Sequence, residues 1–206
     1  MRPINDKLAG EMLEAGKREF LEKGYEKASL RGIAASLGVT TGAIYRYYQD
    51  KEALFQAIVE EPAKELLAQF RKMQRDFSIQ PLQKQLEGIN TASSEGQDWM
   101  FHYIYDHFDA FKLITCCANG TSYEHYIDQL IDIEVNSSFS LTDQMEEGGM
   151  KVHRLDEELI HILVSGMFTG MFETVRHDMP REKAQIYIQD LCAFYQAGWN
   201  QLLQIK

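Results

Sequence analysis

The stretch that most restricts what this chain can fold into runs from Ser29 to Phe55, SLRGIAASLGVTTGAIYRYYQDKEALF. Ser29 is a side-chain acceptor set just ahead of Leu30, Ile33, Ala34 and Leu37, the i, i+3, i+4, i+7 spacing of one helical face. A short amphipathic helix is expected there, and Gly38 sits where the chain must leave it, a position that commonly needs a left-handed backbone. Val39 can plug the corner, and Thr40 or Thr41 can cap a second helix. In that helix Ile44, Tyr47 and Tyr48 face inward and Thr41, Gly42, Ala43, Tyr45 and Arg46 face outward near its N-terminal end. Asp50 caps a further helix from Lys51, whose ammonium and neighbouring backbone N–H groups would favour a phosphate. This is the pattern of a DNA-binding helix-turn-helix, whose second helix presents small, hydroxyl and basic side chains to the major groove. A plain pair of packed helices joined by a glycine turn shares some of these positions, but not all of them together.

The segment from about Met12 to Val59 resembles the N-terminal domain of the TetR family of bacterial transcriptional regulators. The residues that carry the resemblance are Phe20, Gly24-Tyr25, Ile33-Ala34, Gly38-Val39, Gly42, Tyr45, Tyr47 or Tyr48, and Lys51-Glu52 with Leu54. The resemblance implies a homodimeric, all-helical regulator that grips or releases a palindromic operator according to a small ligand. Carried over by position, it implies a DNA surface of Arg31, Thr40, Thr41, Gly42, Ala43, Tyr45, Arg46 and Lys51. Two residues depart from the family's pattern: Gly16 stands where alanine is usual, and Glu19 where an apolar residue is common. A helical glycine costs about 1 kcal/mol relative to alanine, so the first helix is expected to be less tightly held.

Charge is distributed unevenly. The chain has 21 basic and 31 acidic residues, a balance that alone argues against a polyanionic partner. Residues 1–60, however, hold 9 Lys/Arg and 9 Asp/Glu, so the whole net charge of −10 lies after Glu60. From Ser29 to Lys51 the cations Arg31, Arg46 and Lys51 face Asp50 alone. Few cations mean few phosphate contacts and a shallow salt dependence for each half-site, so two subunits are expected to share the binding. The N-terminal MRPINDKL lacks an apolar signal-peptide core and no run reaches the roughly 18 apolar residues of a membrane span, so a cytoplasmic protein without membrane association is expected. The 3 cysteines, Cys116, Cys117 and Cys192, have no metal-ligand or CxxC spacing and fit a reducing compartment. The adjacent Cys116 and Cys117 read either as a thiol sensor or as buried small side chains.

Beyond residue 50 the pattern is helical throughout, without strand-like alternation, repeats or low-complexity tracts. The expected fold class is therefore all-α: an N-terminal three-helix DNA-binding domain with the helix-turn-helix, residues 1–50, and a C-terminal helical ligand-binding and dimerisation domain, residues 51–206. Lys51 to about Arg75 reads as a connector helix interrupted or kinked at Pro62. A short helix over Pro81–Asn90, a polar loop TASSEGQ at 91–97, and an aromatic-rich helix over Asp98–Phe111 follow. A break at Asn119-Gly120 precedes a helix from Thr121 to Glu147, ended by Gly148-Gly149, and two last helices span Leu155–Asp178 and Pro180–Ile205. Their broad apolar faces suggest a partner. Gly166 and Gly170, one turn apart, read equally as a dimer contact or as close packing within the chain.

No catalytic or metal-binding constellation stands out, since none of the 6 histidines has ligand spacing and the nucleophile-elbow, phosphate-loop and dinucleotide motifs are missing. The pairs His102/Asp106 and Tyr103/His107 at i, i+4 read as helix-surface hydrogen bonds or a polar pocket wall. An enzyme is not expected, nor a cofactor. Aromatic and methionine side chains between helices instead suggest an apolar effector pocket, with candidates Trp99, His102, Tyr103, Tyr105, Phe108, Phe111, Tyr123, Tyr126, Met167, Phe168 and Met171. Any one of these is also a natural core residue. The acidic excess favours a neutral or cationic apolar ligand over an anion. The reading is thus a ligand-responsive regulator, a repressor, that binds double-stranded DNA as a homodimer and is released by a small molecule. Two alternatives stay open: control by a protein partner, and a ligand-binding helical protein whose helix-turn-helix no longer reads a sequence.

Overall fold

The computed structural model describes residues 6–203, apart from the side chains of residues 89–93. The described residues form helices joined by turns and no strand: α1 Asp6–Lys27, α2 Leu30–Ser36, α3 Thr41–Ile44, α4 Lys51–Ser78, α5 Leu82–Asp106, α6 Phe108–Cys117, α7 Tyr126–Glu147, α8 Glu157–Arg176 and α9 Arg181–Leu203. The protein is all-α, as the sequence pattern requires. The helices gather into two compact units, one from the chain up to Lys64 together with His107–His125, the other from Glu65–Asp106 and Tyr126 onward. The boundary read from sequence, 50/51, is the first residue of α4, whose N-terminal half belongs to the first unit and whose remainder belongs to the second.

In the first unit α1 packs on α2 and α6, and α2 on α3. Met12, Phe20, Ile33, Ile44, Leu54, Phe55, Val59 and Phe111 are buried at its centre. Phe20, Tyr25 and Phe55 form a ring cluster with centroids 5.2–5.9 Å apart, and Tyr123 joins it 6.2 Å from Phe55. Burial and a bond to Glu52 push the Tyr25 hydroxyl up to about 12. The two departures noted in α1 have structural reasons. A Cβ at Gly16 would lie 3.0 Å from Leu54 Cδ2, so the missing side chain lets α1 close on α4. Glu19 accepts the Ser29 backbone N–H at 3.3 Å and the Lys23 ammonium at 2.8 Å, tying α1 to the start of α2.

In the second unit α7 packs on α8, α8 on α9, and α5 on α9. Its core holds Phe70, Met100, Ile104, Tyr126, Leu130, Val135, Val164, Phe168, Met171, Phe172 and Ile188. Gly166 and Gly170 face α9, since a Cβ at the first would meet the Tyr195 hydroxyl at 2.5 Å and at the second Leu191 Cδ2 at 2.9 Å. These glycines therefore serve close packing of α8 on α9 within one chain.

Several element boundaries differ from the sequence reading. The helix from Lys51 is not interrupted at Pro62: α4 continues to Ser78, with Val59, Ala63 and Leu66 buried on either side of the proline. Residues 91–97 are helical rather than a loop, part of one α5 anchored by buried Gln85 before them and Met100, Phe101 and Ile104 after them. The helix expected over 98–111 breaks at His107, where the chain passes from one compact unit to the other. The helix after Gly120 begins at Tyr126 instead of Thr121, because the Thr121 hydroxyl donates to Ala118 O at 2.6 Å and accepts the Tyr123 N–H at 3.1 Å, closing a turn in place of a helical one. The last two helices appear nearly as expected; Ile205, the expected end of the second, lies outside the described residues.

Candidate DNA-reading face and effector cavity

The helix-turn-helix is assembled by local hydrogen bonds. Ser29, in extended conformation, caps α2 by accepting the Gly32 N–H at 3.0 Å. Gly38 takes φ +66° at the turn, the left-handed conformation its position called for. Thr40, not Thr41, caps α3, its hydroxyl accepting the Ala43 N–H at 3.2 Å. The reading helix is one turn long, and the chain continues as a turn in which Tyr47 and Tyr48 N–H groups donate to Ile44 O at 2.9 and 3.0 Å. Ile44 is fully buried, while Tyr47 and Tyr48 are half-buried. Burial pushes the Tyr48 hydroxyl up.

The outward face carries Arg31, Thr40, Gly42, Tyr45 and Arg46, all exposed, with Thr41 and Ala43 half-buried beside them. Tyr45 is 57% exposed, although it is a large ring in a folded domain. Neither Arg31 nor Arg46 has an ion-pair partner among the described residues.

Lys51 does not join them. Its ammonium donates to the carbonyls of Tyr25, Glu26 and Ala28 at 2.5, 3.3 and 3.2 Å and lies 4.1 Å over the Tyr25 ring. An ammonium has three donors, and all three are used inside the fold. The reason is in α1, which leaves helical geometry at Gly24, φ +73°, and presents the orphan carbonyls that end a helix. Lys51 closes that end, and Asp50 takes the Ala53 N–H at 2.7 Å, so the start of α4 is satisfied internally.

Beside a wider cavity of about 510 Å³ between α5 and α9, the second unit has one of about 410 Å³ between α4, α5, α7 and α8. Phe70, Met73, Phe77, Trp99, Met100, Met167 and Phe168 supply its apolar wall, and Gln69, Gln74, Gln80, Gln97, Asp76, Glu95 and Glu134 its polar groups. A smaller cavity of about 130 Å³ shares Gln74, Phe77 and Glu134 with it and is closed by Gln85, Ile160, Trp199 and Leu203 among others. Glu134 stands between the two. Its carboxylate accepts the Gln74 amide at 2.7 Å, Ser137 donates to the other end of that amide at 2.6 Å, and desolvation pushes the carboxyl up to about 7.

Of the residues proposed for the pocket, Trp99, Met167 and Phe168 line this cavity. The others do not. Phe108, Phe111 and Tyr123 belong to the first unit. Tyr126 and Met171 are core. Tyr103 stacks on Trp99 at 5.2 Å but sends its hydroxyl to Glu65 at 2.9 Å, and Tyr105 donates to Met179 O at 3.1 Å. His102 accepts from Arg181 at 2.9 Å and sits 3.6 Å from Asp98, while Arg181 donates to Asp106 at 2.6 Å, so the His102/Asp106 pair meets through an arginine on the surface. The α4 residues Phe70, Met73 and Phe77, together with Gln74 and Glu134, were missed, although Phe70, Met73 and Phe77 show i, i+3, i+7 spacing.

Cys117 is buried and its thiol is pushed up by desolvation; Cys116 beside it is exposed. Among the described residues no group of three or more His, Cys, Asp or Glu side chains could hold a metal ion, and no helix is long and apolar enough to cross a membrane.

An all-helical chain that carries a capped helix-turn-helix near its N-terminus is a helix-turn-helix protein of the DNA-binding class. Residues 12–58 match the family profile described as bacterial regulatory proteins, tetR family. The chain is 36% identical over 58 residues to the HTH-type transcriptional repressor Rv1474c of Mycobacterium tuberculosis, a match covering 28% of this chain and 31% of that protein. It is 38% identical over 99 residues to the HTH-type transcriptional repressor AcnR of Corynebacterium glutamicum, covering 48% of this chain and 47% of that one. The matches thus span about a third to a half of these relatives' own lengths. Among solved structures, the TetR family regulator PfmR of Thermus thermophilus superposes with a TM-score of 0.57 at 22% identity, covering 88% of this chain and 97% of that one. A TetR-family regulator from Bordetella parapertussis superposes with a TM-score of 0.62 at 16% identity, covering 91% and 95%. Residues 12–58 are thus a DNA-binding domain of the TetR type, and the chain shares the fold of TetR-family regulators.

Proposed function

We propose that this protein is a transcriptional repressor that binds a palindromic operator as a homodimer and is released from it by a small molecule held in the cavity of the second unit. The observation that carries the reading is the built helix-turn-helix: two side-chain caps and one left-handed glycine hold a short reading helix whose outer face, with Tyr45 and Arg46 uncovered and Arg31 beside it, has no role in the core. Arg31 and Arg46 supply phosphate or base-edge contacts, and Thr40, Thr41, Gly42 and Ala43 allow close approach to the groove.

Support for a dimer comes from the apolar side chains left uncovered on the last two helices, Ile162 at 64%, Ile186 at 62% and Phe194 at 72% exposure. A two-fold dimer covers such a face and supplies two reading heads for half-sites about 34–36 Å apart. Support for a ligand comes from the cavity, whose volume and mainly apolar wall suit a drug-sized molecule. In this mechanism the ligand favours the conformation whose heads are wrongly spaced for the operator, and α4, continuous from Lys51 to Ser78, connects the two.

Selection of binding sites from random duplex DNA at near-physiological salt tests the reading. Enrichment of a two-fold palindrome is expected; recovery of unrelated sequences, with binding that collapses as salt rises, would overturn it.

A further inference from the structure

We infer that the cavity of the second unit takes an organic cation, an ammonium or amidinium group on an apolar body, with Glu134 as its counter-ion. This rests on the reading of that cavity as the effector site and adds the class of effector.

Every ionisable group on the two cavities that share Glu134 is a carboxylate: Asp76, Glu95 and Glu134 on the larger, Glu134 on the smaller. An anionic ligand would meet like charge with no lysine, arginine or histidine along the walls to offset it. Glu134 is half-buried where Asp76 and Glu95 are exposed, on α7 beside the buried Leu130, Ile131 and Val135, and its side-chain partner is the neutral amide of Gln74. A carboxylate in such a place is costly unless it is protonated or paired, and no cation among the described residues pairs it. Desolvation accordingly holds its proton to about pH 7, so near neutrality the group is poised between the two forms.

A second, independent group points the same way. Gln85 is fully buried against the smaller cavity, and the two N–H groups of its Nε2 are shared among three acceptors, Ser78 O, Gln80 O and Gln144 Oε1, at 3.1, 2.7 and 2.7 Å. Those acceptors fix the orientation of the amide and leave Oε1 as a buried acceptor with no donor. The unsatisfied polar demand along the cavities is therefore for donors. A cationic nitrogen meets it at Glu134, and the aromatic wall of Phe70, Phe77, Trp99 and Phe168 favours a cation as well as an apolar body.

The test compares three probes of equal chain length below their micellar concentrations, decylammonium, 1-decanol and decanoate, by calorimetry and by fluorescence of Trp99 and Trp199, which line the two cavities. The expected result is binding of the ammonium about tenfold or more tighter than the alcohol, weakest binding of decanoate, and loss of the ammonium's advantage in Glu134→Gln. In the unaltered protein the ammonium, which like a lysine side chain stays protonated between pH 6 and pH 8, should bind more tightly at pH 8 than at pH 6, while the alcohol does not change. Asp76 and Glu95 are the other ionisable groups along the walls, and Asp76→Asn with Glu95→Gln should leave most of that pH dependence in place. Equal binding of ammonium and alcohol, or tighter binding of decanoate, would overturn the cation assignment while leaving the effector cavity standing. Binding of none of the three would overturn both.

Discussion

At the scale of single residues, burial and hydrogen bonding separate side chains that hold the fold from those that face outward. Lys51 is the clearest case. Sequence alone set it among the DNA contacts, but its three donors close the end of α1. Lys51→Met should therefore unfold at lower denaturant, with a loss of about 2 kcal/mol in urea titration, because charge-assisted bonds to carbonyls are removed together. Tyr45→Ala and Arg46→Ala should behave in the opposite way. Both positions are exposed, so stability should change by less than about 0.5 kcal/mol. Operator affinity, measured by fluorescence anisotropy, should fall in both, and the slope of log affinity against log salt should fall by about 1 for each arginine that contacts a phosphate. Glu134 gives a prediction in pH. Its carboxyl is raised from an ordinary value of 4.5 to about 7, so between those values the folded protein keeps a proton that the unfolded chain has lost. The folded state then binds more protons, and stability must fall as pH rises from about 4.5 to about 7 and level off above, by about 3 kcal/mol in all. Glu134→Gln should flatten that part of the profile in thermal denaturation followed across pH.

At the scale of elements, the legible parts were those fixed by local chemistry. Ser29, Gly38 and Thr40 each act through bonds within a few residues, so the helix-turn-helix could be placed almost residue by residue. The misread parts were those settled by packing. The polar run at 91–97 looks like a loop in isolation, yet it is the middle of α5, because buried residues on both sides fix the helix axis. The lining of the cavity was legible only at Trp99, Met167 and Phe168, for the same reason. An aromatic stripe on α5 and α6 marks core as readily as pocket, and only packing shows which rings line a void. One signal was available: Glu134 falls on the buried stripe of α7 with Leu130, Ile131 and Val135, and a carboxylate in that register needs an explanation. Continuity of α5 has a measurable consequence at Gly88, a helical glycine with nothing within 4 Å of the place a Cβ would take. Gly88→Ala should stabilise the protein by about 0.5–1 kcal/mol, as in any regular helix, whereas a glycine needed at a bend would make the change destabilising.

At the scale of the whole molecule, the neutral N-terminal domain sets a limit on what one chain can do with DNA. With 9 basic and 9 acidic residues in the first 60, and Lys51 occupied internally, few cations remain to displace counterions from a half-site. In the proposed homodimer, affinity then comes from two heads acting together, and the second head contributes through effective concentration, worth about 10²–10⁴ in avidity for linked sites. The proposed dimer face, rather than the reading face, is then the most sensitive place to break DNA binding from a distance. Ile162 and Phe194 are exposed, so replacing them costs the single chain little, while a carboxylate at each would place like, unpaired charges in the proposed dimer contact. The double variant Ile162→Glu, Phe194→Glu should keep its helical circular dichroism, sediment as a monomer, and bind the operator about a hundredfold or more weakly. Binding to an isolated half-site should be unchanged, because the reading head is untouched. A monomer that still held the full operator with undiminished affinity would show that one head suffices, and the charge argument for two would fail with it.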